Sequence, residues 1–342
     1  MEDVAVVGVD LAKSVFQVHG VDAAGEVVLR RKLSRSKLLT FFEKLPRCLV
    51  GMETCASANY WARELVALGH QVRLMPPQYV KPYVKRSKND ASDAEAICEA
   101  VTRPTMRFVG VKSSEQQSVL VLHRTRLVLN RQRTQIGNAI RAHLAEFGIV
   151  APVGRIGLDR LFAVFADESD QRVPAAARAC LAMLVEQHRL VLAHLLETDR
   201  AIRTHSRASE IGRRLQEIPG VGPLVASALI ATVPDPHVFK NGRSLSAWLG
   251  LVPRQNSSGG KERLGGITKA GDTYLRKMLF VGAMAVIRYA QRHGTKRPWL
   301  AKLLTRRHPR IAAIALANKI GRIAWALMTS GEHYREPVVA QS

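Results

Sequence analysis

The sequence predicts an α/β layer with a mixed sheet, followed by two all-α stretches. Three observations carry this. Short apolar runs alternate with helix-period segments over the first hundred residues; from about Glu115 the apolar spacing becomes heptad-like; and from about Glu210 the chain is helical, glycine-punctuated and strongly basic.

Taken in order, "VAVVGVD" is a short apolar run ending in Asp10, and "SVFQVHGVD" and "EVVLRRKL" follow as strands separated by turn residues. "SKLLTFFEKL" reads as a helix, "CLVGME" as a buried strand, "SANYWARELVAL" as a helix and "QVRLM" as another strand. Three consecutive strands followed by alternating helices and strands fit a mixed sheet with helices against it. Between Glu115 and Phe147, Leu122, Leu129 and Ile136 recur every seven residues, and Ile140 and Leu144 extend the stripe. A second helical run, 176–204, carries Leu181, Leu184, His188, Val191, Leu195 and Ile202 at three- and four-residue steps. The pair fits an antiparallel or oligomeric coiled coil, or two core helices of an ordinary bundle. No clear long element is expected over 148–175.

At 342 residues the chain has room for two or three domains, and 47% hydrophobic with 23% charged residues excludes a disordered polymer. Its 51 Lys and Arg against 28 Asp and Glu give a formal net charge of +23. A polyanion is the expected partner, because counterions released from a phosphate backbone drive binding; an anionic membrane surface is the rival. No continuous apolar run reaches the ~18 residues of a spanning helix. The N-terminus "MEDVAVVGVD" lacks the basic region of a signal peptide, so a cytoplasmic location is expected. Cys48, Cys55, Cys98 and Cys180 are scattered without zinc spacing and read as reduced thiols in or near the core.

Three stretches carry chemistry. Asp10 and Glu53 each close a strand, and Asp90 and Asp93 in "SKNDASDAEAI" stand one helical turn apart. Were the strand ends adjacent, all four carboxylates could converge. A like-charge pair ~4 Å apart costs about 4 kcal/mol at an effective dielectric of 20, so such a cluster requires a cation. All-oxygen donors select Mg²⁺ or Mn²⁺. Singly, Asp10 also suits a turn, Glu53 a first helical turn, and Asp90 an N-cap. "LQEIPGVGPLVASALIATV", 215–233, has the helix–hairpin–helix pattern, in which Gly220 and Gly222 would let backbone N–H groups approach phosphates; an ordinary helix–helix corner looks similar. The third stretch lies in a basic segment. Between Arg254 and Arg310 there are 14 Lys and Arg against only Glu262 and Asp272, which marks a nucleic-acid surface. Within it, Ser257 and Ser258 precede Gly259-Gly260 in a loop flanked by Arg254, Lys261 and Arg263, with Lys269, Arg276 and Lys277 following. A serine here is either a nucleophile toward phosphorus or part of a phosphate-binding loop.

Together, "VGVDLAKSVFQVHG", "GMETCASANYWAREL", "KNDASDAEAI", "IPGVGPLVASALIA" and "GLVPRQNSSGGKERLGGITKAGDTYLRKML" resemble, in this order, the transposases of the insertion sequence 110 family, also called DEDD transposases, and particularly its 1111-type subgroup. The resemblance covers nearly the whole chain. It implies a RuvC-like domain of the ribonuclease-H fold over 1–110, a helical coiled-coil connection over 111–207, and a helical C-terminal transposase domain over 208–335 with helix–hairpin–helix and serine motif. Residue by residue, it assigns the acidic tetrad to Asp10, Glu53, Asp90 and Asp93, and the serine before the family's glycine to Ser258, with Ser257 the weaker alternative. It further implies recombination through a covalent serine–DNA intermediate, with a structured non-coding guide RNA (the bridge RNA) pairing with donor and target. A dimer or tetramer is implied too, in which one subunit's tetrad meets another's serine. The expected function is thus a metal-dependent transposase that moves its own element. The alternatives are a Holliday-junction-type nuclease whose tetrad activates water, and a non-catalytic DNA-compacting or repressor protein.

Overall fold

Valine-rich alternation at the N-terminus becomes an antiparallel meander of β1 (Val6–Leu11), β2 (Val15–Val21) and β3 (Val27–Ser34). The computed structural model describes residues 3–85, 90–167, 169–257, 259–261, 263–295 and 297–336. The chain divides into two units: Met1–Gln117 with Ile230–Leu245, and Ser118–Leu229 with Ser246–Ser342.

In the first unit, the β2–β3 turn is closed by the Asp22 carboxylate, which accepts from the N–H groups of Ala24 and Glu26, both at 2.9 Å. After α1 (Leu38–Phe42), strands β4 (Leu49–Glu53) and β5 (Gln71–Met75) run parallel to β1 and give the order β3-β2-β1-β4-β5. The crossover between them is α2 (Ala58–Ala67), and α3 (Pro77–Val80) and α4 (Asp90–Thr102) follow. The mixed sheet and each expected strand of the first hundred residues are therefore present. Val7, Val9, Phe16, Val18, Val50 and Met52 are buried with Phe42, Trp61 and Leu65. Each such side chain contributes about 1.5–3 kcal/mol of burial. On the other face, Ile97, Ala100 and Val101 of α4 pack with Met75 and Val80.

Helix α5 (Ser114–Ala145) leads into the second unit. There α6 (Arg155–Ala166) and α7 (Ala175–Ala208) join it, and Ile136, Ile140 and Leu144 are buried with Leu161, Leu181, Val185 and Val191. Over 148–175, where no clear long element is expected, the chain forms the twelve-residue α6, whose Leu161 is 2% exposed and makes this a three-helix core. Next come α8 (Glu210–Gln216), α9 (Pro223–Thr232), α10 (Gly242–Trp248), and a hairpin of β6 (Pro253–Gln255) and β7 (Leu264–Ile267). The chain ends in α11 (Thr273–His293), α12 (Pro298–Arg306) and α13 (Pro309–Ser330). By length and mean hydropathy α7 and α13 could cross a bilayer, which counting continuous apolar runs did not reveal. Both bury a stripe within the fold: Leu181, Val185, Val191 and Leu195 of α7, and Ala313, Leu316, Ala317 and Ile320 of α13. All four cysteines are free thiols: Cys48 and Cys98 are buried, and burial pushes their pKa up to about 11, whereas Cys55 and Cys180 are exposed.

A polar pin ties three helices of the second unit together. His123 of α5 bonds the Tyr274 hydroxyl of α11 at 2.9 Å and the Ser227 hydroxyl of α9 at 3.1 Å, beside the Arg126–Asp199 ion pair. Burial, reinforced by the Arg126 charge, pushes the His123 pKa down to about 4. The unfolded chain binds this proton near pH 6.5 and the folded chain does not, so stability falls as pH drops from about 6.5 toward 4. Chemical denaturation across that window is expected to lose up to roughly 3 kcal/mol at this position, at about 1.4 kcal/mol per pKa unit. His123→Gln flattens the loss; a variant with an unchanged pH slope would remove His123 as its cause.

Candidate metal centre and nucleic-acid interface

Two glycines set the distance between α4 and the sheet. A Cβ on Gly8 would lie 2.3 Å from the Ala94 carbonyl oxygen and 2.4 Å from the Cys98 nitrogen, and one on Gly51 would lie 2.8 Å from the Val101 side chain. Both glycines therefore face α4, and Asp10 and Glu53, two residues further along their strands, share that face. Helix α4 starts at Asp90, so Asp90 and Asp93 occupy its first turn, where the helix dipole favours acids. Asp10, Asp90 and Asp93 each place a carboxylate oxygen within 4.8 Å of the others. Asp10 and Asp93 are half-buried and Asp90 is exposed.

Three carboxylates this close repel one another, and their donors are hard oxygens only. That set suits a divalent cation such as Mg²⁺ or Mn²⁺. Glu53 stands at the end of β4, half-buried, one position past the last β1–β4 pair, Val9–Met52. Among the described residues it lies outside the group of three. The structure thus brings together three of the four expected acids and puts the fourth on the same face of the neighbouring strand. Sequence reading missed the two glycines, whose only signal was their place two residues before each strand-end acid.

Ser257, Gly259, Gly260 and Lys261 lie between β6 and β7. Asn256 donates to the Arg263 carbonyl at 2.9 Å, and the Ser257 hydroxyl accepts from the Arg263 N–H at 3.2 Å, so Ser257 braces the loop. Gly259 and Gly260 both take positive φ, which turns the chain sharply. Ser258 lies outside the described residues. Arg254, Lys261, Arg263, Lys269 and Lys277 are exposed. Arg276 is not: only 9% exposed, it donates to the carbonyls of Leu249 (2.9 Å) and Ala270 (2.8 Å). Its expected role on nucleic acid is therefore corrected to a structural one, because buried carbonyls need these donors.

Helices α8 and α9 flank the turn holding Gly220 and Gly222. Gly220 has φ +92° and packs against Gly282 of α11, where a Cβ on Gly282 would lie 2.0 Å from the Gly220 oxygen. That glycine serves helix packing, whereas a Cβ on Gly222 would meet open space.

Residues 7–149 match the family model described as a transposase, of the DEDD insertion sequence 110 type, and residues 212–297 match the model described as transposase IS116/IS110/IS902 family. The chain is 49% identical to a probable family 20 transposase of Pseudomonas aeruginosa, over 96% of this chain and 98% of the relative. It is 47% identical to a putative transposase of Sinorhizobium fredii, over 98% and 87%. It is 41% identical to the transposase for insertion sequence element IS1111A of Coxiella burnetii, over 98% and 92%. With relatives this similar over nearly its whole length, the chain belongs to the insertion sequence 110 family of transposases.

Proposed function

We propose that this transposase recombines DNA by metal-dependent strand exchange through a covalent serine–DNA intermediate, acting on its element's ends and target. The observation that carries the reading is the convergence of Asp10, Asp90 and Asp93. In this reading Asp10, Asp93 and Asp90 hold one or more Mg²⁺ or Mn²⁺ ions, and Glu53 completes the set from the adjacent strand. Such ions, when bound, polarise the phosphodiester and stabilise charge on the attacking and leaving oxygens. The mixed five-stranded sheet supports a RuvC-like ribonuclease-H fold for 1–110. We assign self-association to 111–207, as a dimer or tetramer, and strand handling to 208–335, with Gly222 in a helix–hairpin–helix turn.

Ser258 is the proposed nucleophile. Its hydroxyl loses a proton and its oxygen bonds to phosphorus; the P–O bond to one DNA hydroxyl breaks, and that oxygen leaves protonated. Exposed Arg254, Lys261 and Arg263, its neighbours in sequence, suit the charge that builds on the phosphate. Sequence choice falls to a structured guide RNA, leaving the protein to read backbone and shape, which its unspecific positive charge favours. The enzyme is read as cytoplasmic.

Trapping the intermediate tests this. Wild type, Ser257→Ala and Ser258→Ala are incubated with Mg²⁺, element-end DNA and the RNA transcribed beside the element, then run on denaturing gels. The expected result is protein-linked DNA that disappears only in Ser258→Ala. Cutting without an adduct in all three would instead make the acids a water-activating nuclease.

A further inference from the structure

The strand register continues the acidic cluster into a basic one. Asp10 pairs with Gln17 of β2, and Gln17 with Lys32 of β3; one step along, Gly8 pairs with His19, and His19 with Arg30. Cross-strand partners share a face, so Asp10, Gln17 and Lys32 form one row and Gly8, His19 and Arg30 the next. At ~4.8 Å per strand, the backbone of Lys32 stands about 10 Å from that of Asp10. Here the sheet and α4 bound an open cleft of about 360 Å³, with Gln17, His19, Arg30 and Lys32 on one side and Ser92 and Glu95 on the other. His19 is 5% exposed. Glu95 is the one acid among the described residues lining the cleft, and Lys85 holds it at 2.6 Å.

We propose that this shelf is a second, anion-binding subsite of the transposase, which holds the phosphodiester backbone of a nucleic-acid strand running past Asp10. It rests on the proposed function, for which it names the strand's path. Three clustered carboxylates repel the backbone they are meant to act on, and positive charge one or two strands away offsets that repulsion and steers the strand in. Arg30 and Lys32 are suited to this: both are exposed, and among the described residues neither makes an ion pair. Arg31, between them in sequence, also lines the cleft, and its guanidinium lies over the Phe41 ring at 5.9 Å. The rival role for cations here is to guard β3, an edge strand, against pairing with another chain.

The two roles separate in a binding experiment with the full chain in EDTA, where no cleavage is needed. Labelled single-stranded DNA and RNA of one sequence are titrated across a salt series. The proteins are wild type, the Arg30→Gln/Lys32→Gln double variant, and Lys44→Gln, which removes an exposed charge outside the cleft. Two lost phosphate contacts are expected to reduce the slope of log K against log salt by about 1.4, since each single-strand contact accounts for about 0.7. Affinity at low salt should fall about tenfold, with Lys44→Gln unchanged. A change confined to DNA places the processed strand on the shelf, and one confined to RNA places the guide there; either supports the subsite. A slope equal to wild type overturns it, as does an equal loss in Lys44→Gln, or aggregation of the double variant with an unchanged slope in its soluble fraction. If no adduct or cleavage is ever found while the slope still drops, the proposed chemistry fails and the subsite stands.

Discussion

Asp93→Asn is expected to lower DNA strand cleavage by at least about a thousandfold, equivalent to about 4 kcal/mol of transition-state stabilisation, with DNA binding in EDTA unchanged or tighter. Asp93 is the half-buried member of the α4 pair, and its oxygen lies within 4.8 Å of both Asp10 and Asp90. The amide keeps the shape and removes the charge. A readout independent of activity accompanies this. A ligand that binds only the folded state at a hundred times its Kd stabilises by about 2.7 kcal/mol, so wild type should gain thermal stability with Mg²⁺ or Mn²⁺ and Asp93→Asn should gain little. Without ions the order reverses: the variant is the more stable protein, because one repulsive neighbour is gone. Equal stabilisation of both proteins by the ion would sink the metal assignment. A variant less stable than wild type in EDTA would make Asp93 a structural acid of the first helical turn.

The parts of this site that could be read from the sequence are those set by local pattern. Strands β1 to β5 alternate or run apolar between turn residues, and Asp10 and Glu53 stand at strand ends where that pattern stops. Asp90 and Asp93 share a helical face by spacing alone. What could not be read depends on contacts between distant segments or on surfaces without a pattern. Strands β6 and β7 are exposed along almost their whole length, so they carry no buried–exposed alternation to recognise. Arg276 looks like one more cation in a basic segment, and only the carbonyls of Leu249 and Ala270, brought beside α11 by folding, take it out of solvent. Helix α6 is a twelve-residue segment just after Gly154, with charged residues among its apolar ones, and its role in the core becomes visible only when Leu161 meets α5 and α7. The same holds for the basic shelf: Arg30 and Lys32 are plain in the run LRRKL, and only strand register sets them in line with Asp10.

Gly8→Ala should then be as damaging to the site as loss of a ligand, although Gly8 carries no functional group. The added methyl would sit 2.3 Å from the Ala94 oxygen, 2.4 Å from the Cys98 nitrogen and 2.8 Å from the Cys98 Cα. All three are backbone atoms of α4, so no side-chain rotation relieves the clash; the helix must move away from β1 or the strand must bend. Forcing a methyl into a packed contact costs about 1–3 kcal/mol or more, and denaturant unfolding should show a loss of that size. The displacement carries Asp90 and Asp93 away from Asp10, and about 1 Å of misplacement lowers activity about a hundredfold. The ion-induced rise in thermal stability should shrink with it. Gly51→Ala is the informative comparison, since its methyl would meet Val101 alone, 2.8 Å from its Cβ, at the opposite end of α4 from Asp90 and Asp93. It should lose less stability and keep most of its response to Mg²⁺. If Gly8→Ala destabilises the fold but binds the ion as wild type does, the carboxylates do not depend on the α4–β1 contact for their convergence, and the link from glycine spacing to metal site is broken.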